Sequence, residues 1–281
     1  MASLAYGVSD FCAGVASRQR AAGLVTLVTQ VIGTAAAGVA VATFPGAGPE
    51  AGALAWGALS GVGSGLGIST LYRGLAMGEM GPVATTSAVL TAVIPAAVGL
   101  ATGNHPSVAA LVGMVVALPS IAMVAWTPPV STAPKGHQRR LSLALGAAAG
   151  AGFALLFIAL DRAGTRSGAW PVLAGYVVSL AVVAPAGGRA WRRRPARDHG
   201  GGRWRGLPAL AVLAGSLGGT GNLLFLVASG RGQLAVVAVL SALYPASTIL
   251  LARSVLGERW SRLQATGMLL AAVSVALVSA G

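Results

Sequence analysis

The stretch that decides the fold is TAVIPA at residues 91–96, because SALYPA at residues 241–246 repeats its pattern. Each stretch places one proline inside a long apolar segment, and the two prolines lie 150 positions apart. Further along, Gly113 aligns with Gly267, 154 positions later, and the match continues to Ala125. The chain therefore contains two copies of one unit, and apolar copies of membrane-spanning length are typical of a transporter.

Composition places both copies in a membrane. Hydrophobic residues make up 55% of the chain and charged residues 9%, whereas soluble domains carry about 25% charged residues. The mean hydropathy is +0.77. The net charge of +13 does not indicate nucleic-acid binding, because the arginines punctuate apolar segments instead of covering one solvated face. We therefore predict an integral membrane protein with no nucleic-acid partner.

Apolar segments of roughly the 17 to 25 residues that cross a bilayer as a helix occur ten times. Ten spans in two units make five per unit, and an odd number means that the second copy enters the membrane from the opposite side. The predicted fold is an all-α integral membrane protein of ten transmembrane helices in two inverted five-helix repeats, an architecture typical of alternating access. The predicted spans are 2–17, 22–44, 52–72, 82–102, 108–126, 142–160, 169–187, 207–228, 233–255 and 263–280.

Lysine and arginine are divided unequally between the two sides of this bundle. The loops after spans 1, 3, 5, 7 and 9 hold 16 of the 19 basic residues, and the loops after the even spans hold Arg162, Arg166 and Arg231. The side with 16 is called the basic side below. By the positive-inside rule it is cytoplasmic, so both termini are predicted to lie outside the cell membrane.

The repeats are predicted at residues 1–126 and 142–281, with a proline-rich linker at 127–141. Residues 189–206 form the most basic stretch. We interpret it as a topology anchor, with binding of lipid headgroups as the alternative.

The second copy resembles a known family. It carries AVLSALYP at residues 238–245, LGERWS at 256–261 and then Gly267 at the start of a final apolar helix, and the first copy shows a weaker version. These residues resemble the drug/metabolite transporter superfamily in its EamA-like two-repeat branch. The resemblance covers essentially the whole chain and implies a ten-helix carrier that moves small metabolites or drugs, usually outward, through a central cavity. The first copy departs from the pattern at Gly103-Asn104-His105, which lacks the acid-arginine pair.

Asp10 is the sharpest candidate for a functional residue. An acidic side chain within a transmembrane segment is costly and by default suggests ion or substrate handling. Asp10 could carry a proton or act as the counter-charge to a cationic substrate. The alternative is a structural or solvated position near the outer end of a short first span.

Prolines and glycines at equivalent positions of the two copies point to gating and packing. Pro95 and Pro245 each remove a backbone donor within a span, so we expect kinks that serve gate movement. Gly57, Gly61 and Gly65 recur every four residues in span 3, and span 8 carries a similar pair. Small residues at this spacing favour close helix packing over cavity lining. The pair in span 8 is Gly215 and Gly219.

Polar residues near these positions describe a mildly polar cavity with almost no fixed charge. Each could bond a substrate or a neighbouring helix, and together they suit a neutral, zwitterionic or amphiphilic solute better than a polyanion. The expected partners are a small-molecule substrate and membrane lipid, while the sequence leaves monomer and homodimer open. These candidates are Gln30, Ser60, Ser64, Tyr72, Thr91, Asn222, Ser241 and Tyr244.

Signatures of enzymes, metal sites and cofactors are missing from the sequence. The three histidines fall in loops without metal-ligand spacing, and no phosphate-binding glycine loop occurs. We therefore expect no cofactor, no metal and no catalytic residue. The leading hypothesis is a secondary transporter that exports its substrate and is coupled to protons. An uncoupled facilitator or importer is the runner-up, and a lipid flippase or a non-transporting membrane subunit is the hypothesis from a different class.

Overall fold

The computed structural model describes residues 1–17, 21–75, 80–126, 136–192, 207–257 and 261–280. These residues form eleven helices and no strands. The helices are α1 (Ala2–Ser17), α2 (Ala22–Thr43), α3 (Ala51–Leu75), α4 (Met80–Ala101), α5 (Val108–Ala125), α6 (Gly136–Ala163), α7 (Trp170–Arg192), α8 (Leu207–Ser229), α9 (Leu234–Ser241), α10 (Tyr244–Leu256) and α11 (Arg262–Ala280).

The predicted all-α membrane fold is confirmed. Within the described ranges, nine segments are long and apolar enough to cross a membrane, and α9 with α10 counts as one of them. The tenth predicted span is α1, which has 16 residues and is shorter than the others. The residue limits of the two repeats stay a prediction.

The contact between α5 and α11 shows the inverted relation of the repeats directly. The Ser120 hydroxyl donates to the Gly267 carbonyl oxygen at 2.8 Å, and the Ser274 hydroxyl donates to the Gly113 carbonyl oxygen at 2.8 Å. Gly113 and Ser120 are the residues that the repeat aligns with Gly267 and Ser274. Two equivalent residues exchange equivalent bonds across antiparallel helices, which is the signature of a two-fold axis between the copies.

Glycines bring other helices into close contact. At Gly61 of α3, a Cβ atom would overlap the carbonyl oxygen of Gly175 in α7, and at Gly57 it would overlap that of Pro171. In the repeat, α8 is equivalent to α3 and α2 is equivalent to α7. A Cβ atom at Gly215 of α8 would lie 2.6 Å from the Thr29 carbonyl oxygen of α2. Direct backbone contact of this kind stabilises helix pairs in a bilayer through van der Waals packing.

The two equivalent prolines have different local structures. The ninth span is interrupted at Ala242 and Leu243, between α9 and α10. Pro245 has no amide hydrogen to donate to the Ser241 carbonyl, and the Leu243 amide instead bonds three residues back to Leu240 at 3.4 Å. By contrast, α4 runs without interruption through Pro95. The second repeat is therefore broken at a point where the first is continuous.

The carboxyl end of the predicted linker at 127–141 overlaps a helix. Helix α6 begins at Gly136, six residues before the predicted span, because the sequence HQRRL contains good helix formers and no further proline. Residues 127–135 lie outside the described residues. The same holds for residues 193–206 of the predicted basic stretch and for residues 258–260 of the LGERWS motif.

Candidate functional site

A cavity of about 140 Å³ lies in the middle of the bundle. Residues from both repeats line it, since α1, α2, α3 and α4 contribute from the first copy and α6, α7, α8 and α10 from the second. A site shared by the repeats near mid-depth is the usual arrangement in inverted-repeat transporters.

Asp10 faces this cavity from the middle of α1. Its side chain is exposed, although the helix around it is packed on both sides by α8 and α10. The carboxyl group lies within electrostatic range of Tyr6, Tyr72 and Tyr244. With the described part of the chain it forms no hydrogen bond and no ion pair. An accessible carboxyl group without such a partner is available to a proton or a ligand.

A second, larger cavity of about 570 Å³ continues from Asp10 toward the basic side. Asp10, Tyr72 and Tyr244 line both cavities. The larger cavity also reaches Ser17 at the end of α1 and Ala22 at the start of α2, which flank the first loop of the basic side. The path from Asp10 therefore leads to the basic side.

An apolar plug closes the bundle on the opposite side of Asp10. Phe157 of α6 and Phe225 of α8 stack with their ring centroids 4.3 Å apart. Leu160 and Leu226 pack beside them, and neither has any exposed surface. Close-packed apolar side chains leave no room for water, so this cluster separates the cavity from the second side.

Loops of the two repeats also bond to each other beyond the plug. The Ala169 amide donates to the Phe44 carbonyl oxygen at 3.0 Å, and Arg166 Nε lies 2.9 Å from Glu50 Oε1. Gly168, with φ of +57°, fits against the backbone of residues 44–46, where a side chain would overlap. The link between α2–α3 and α6–α7 therefore rests mainly on backbone contacts.

Asn104 forms the second link on this side. Its Oδ1 atom accepts from the Ala235 amide at 3.0 Å and so satisfies a free donor at the start of α9. Gln233 donates through Nε2 to the His105 carbonyl oxygen at 3.1 Å. The turn at Gly103-Asn104-His105 therefore holds the first repeat against α9, in the interrupted span of the second repeat.

Most of the predicted polar residues surround the cavity. Gln30 donates to Ser179 at 2.6 Å, and the Ser179 hydroxyl lies 3.4 Å from that of Ser64, so a polar chain runs from α2 through α7 to α3. The Thr91 hydroxyl donates to the Ser87 carbonyl within its own helix at 2.8 Å. The predicted residues that line the central cavity are Asp10, Gln30, Ser64, Tyr72, Thr91, Asn222 and Tyr244.

Other predicted residues lie elsewhere. Ser60 is buried and donates to Gly57 in its own helix at 2.6 Å, beside a space of only about 10 Å³. Ser241 is buried at the end of α9 and lines neither of the two cavities described above. Pro95 is buried within α4, whereas Pro245 lines the larger cavity.

Sequence reasoning missed four aromatic residues that line the site, namely Tyr6, Tyr176, Phe153 and Phe157. The Tyr6 hydroxyl donates to Asn222 Oδ1 at 2.7 Å, which joins α1 to α8. Tyr6 lies four residues before Asp10 and hence on the same face of α1, a spacing that the sequence alone reveals. For Tyr176 the sequence carries no comparable signal.

The site has no group suited to hold a metal ion within the described residues. No cluster there contains three or more histidine, cysteine or acidic side chains. The chemistry available at the cavity is binding through aromatic rings, hydroxyl and amide groups and one carboxyl group.

Comparison with known proteins agrees with this arrangement. Residues 135–280, more than half of the 281-residue chain, match the family model described as the EamA-like transporter family. The chain belongs to the EamA-like transporter family. Members of this family are membrane transporters with an inverted-repeat fold. The central cavity of this EamA-like transporter is therefore the candidate substrate site.

The fold is also similar to a solved crystal structure. That structure, titled only "Crystal structure of protein", covers 99% of this EamA-like transporter and is itself covered to 96%, with a TM-score of 0.71. The two sequences are 17% identical, so the likeness concerns the fold. A search of curated proteins found no match.

Proposed function

We propose that this EamA-like transporter exports a small metabolite or drug across the cytoplasmic membrane by alternating access, with Asp10 exchanging the coupling proton. The observation that carries the proposal is the position of Asp10 in a cavity that leads to the basic side and ends at an apolar plug. By the positive-inside rule the basic side is cytoplasmic, so this state would load substrate from the cell and both termini would lie outside.

The opposite state follows from the inverted repeats. In such transporters the two repeats have different conformations and exchange them during the cycle. This exchange closes the cavity on one side of the membrane and opens it on the other. In the present state the second repeat is broken before Pro245 and the first is continuous at Pro95. In the outward-open state we expect α4 to bend at Pro95 and α9–α10 to straighten, while the plug around Phe157 separates.

Asp10 supplies the coupling in this scheme. A carboxyl group gains and loses a proton in place, and the central cavity that Asp10 faces would open to each side in turn as the repeats exchange conformations. An uncoupled facilitator or importer would use the same cavity without a change in the charge of Asp10.

A metabolite comparison tests the proposed export. Cells that express the wild type are expected to accumulate a compound outside, and to deplete it inside, relative to cells with an empty vector and matched membrane protein. Uptake of a compound instead of its release would contradict export and favour an importer. If no metabolite moves and a labelled lipid crosses protein-containing vesicles, the flippase hypothesis replaces the proposal.

A further inference from the structure

All four tyrosines of the chain line the one central cavity. They come from four different helices, α1, α3, α7 and α10, so the packing of the helices and not the spacing of the residues in the sequence brings them together. The rings of Tyr6 and Tyr244 lie edge to face with centroids 6.5 Å apart, and Phe157 lies 6.0 Å from Tyr6 on its other side. The cavity is thus surrounded by aromatic rings.

The described residues that line the cavities carry charge of one sign. Among the residues described as lining either cavity, Asp10 is the only one with an acidic side chain, apart from the weakly acidic tyrosine hydroxyls. No lysine, arginine or histidine is among them. Three of the four tyrosines interact with its carboxyl group electrostatically. A negative group in a cavity lined by aromatic rings attracts cations and repels anions.

We propose that this cavity selects an amphiphilic organic cation, with a compact substituted ammonium head held by Asp10 and the tyrosines. This inference rests on the proposed function of the same site and adds its substrate class. Tyrosine rings bind a cation through the negative charge of their faces, and quaternary ammonium groups are recognised by aromatic cages of this kind.

The two volumes set the shape of the ligand. The central cavity of about 140 Å³ is close to the roughly 150 Å³ that accommodates a benzene ring, so only a compact head fits within it. The adjoining cavity of about 570 Å³ is lined mostly by apolar side chains such as Leu71, Pro245 and Ile249. That space accommodates an apolar tail directed toward the basic side.

An aromatic cavity could also bind a neutral amphiphile by apolar contact alone. The two cases separate with ligands of equal shape. Choline and 3,3-dimethylbutan-1-ol differ in the exchange of the charged nitrogen for a carbon atom, so the cation–π and ionic contributions are present only for choline. Hexyltrimethylammonium and tetramethylammonium share the head and differ in the tail.

The test is titration calorimetry of these four ligands against the purified protein in lipid nanodiscs, with no ion gradient. We expect choline to bind more tightly than its neutral isostere, by about three- to thirtyfold for the aromatic contribution alone. We expect hexyltrimethylammonium to bind more tightly than tetramethylammonium. Equal affinity for choline and its isostere, or no binding of any of the cations, would overturn the proposal.

Four variants assign the affinity to the named groups. Asp10→Asn should weaken binding of the cations, and Asp161→Asn, at the far end of α6, should not. Tyr244→Phe keeps the ring and should retain most of the affinity, whereas Tyr244→Leu should lose it. Wild-type affinity in Asp10→Asn, or equal effects of the two Tyr244 variants with both proteins folded, would contradict the proposal.

These experiments test the proposed binding site and the proposed export independently of each other. Cation binding is measured at equilibrium, so a protein that binds the cation and exports nothing contradicts the proposed function and leaves the binding site intact. A protein that exports a neutral or anionic metabolite and binds choline no better than its isostere retains the proposed function and loses this substrate class.

Discussion

Asparagine in place of Asp10 is expected to reduce proton-driven transport to the level of empty vesicles, while the amount of folded protein stays that of the wild type. Asparagine has nearly the shape of aspartate but cannot gain or lose a proton. Because Asp10 is exposed to the cavity and forms no ion pair with described residues, its replacement removes little packing. The measurement is the rate of substrate movement in reconstituted vesicles with an imposed pH gradient.

Asp161→Asn is the matched control for this prediction. Asp161 is the other acidic residue of the described helices, next to Arg162 near the end of α6, and it lines neither cavity. Its variant should transport like the wild type. A wild-type response of Asp10→Asn to the gradient would show that Asp10 does not couple transport to protons and would favour the uncoupled facilitator.

Alanine in place of Gly61 is expected to destabilise the protein strongly, although it adds only one methyl group. The added Cβ atom would overlap the carbonyl oxygen of Gly175, which is backbone and cannot rotate away as a flexible side chain can. Overpacking costs about 1–3 kcal/mol and occasionally more, so we expect a cost of about 3 kcal/mol and a separation of α3 from α7. The measurement is thermal unfolding of the purified protein in detergent.

Gly52→Ala in the same helix controls for the change of residue type. No atom lies within 4 Å of a Cβ atom built there, so the variant should be neutral or more stable by up to about 1 kcal/mol through helix propensity. Equal unfolding temperatures for the two variants would contradict the close contact of α3 with α7.

The sequence predicted the helices well because each span is long, apolar and bounded by polar loops. Nine of the predicted starts agree within two residues, and the exception is α6, whose helix-forming residues extend the span into the linker. The repeat aligned Gly113 and Ser120 with Gly267 and Ser274, and the structure places these residues in the contact of α5 with α11. What the sequence could not predict is that the equivalent prolines differ, since each removes the same backbone donor from its span.

The site was predicted in part for a related reason. A polar residue in a span either faces the cavity or contacts another helix, and the rotation of the helix together with the depth of the residue along it decides between the two. Ser60 and Ser64 lie one turn apart in α3, yet Ser64 lines the central cavity and Ser60 bonds within the contact with α7. Tyr176 comes from the second repeat and joins Asp10 only through packing. Asp10 itself could be found because a carboxyl group within an apolar span has few ordinary explanations.

The most direct test of the account is the side from which the cavity beside Asp10 can be reached. Ala13→Cys places a thiol in the central cavity, while the native Cys12 next to it is buried and serves as the unreactive control. An impermeant maleimide should label residue 13, but not Cys12, from the basic side of oriented vesicles and much more slowly from the other side. Equal labelling from both sides would indicate an open channel. Labelling only from the side with fewer basic residues would mean that the cavity opens to that side and that the plug lies between Asp10 and the basic side. Either result would contradict the account.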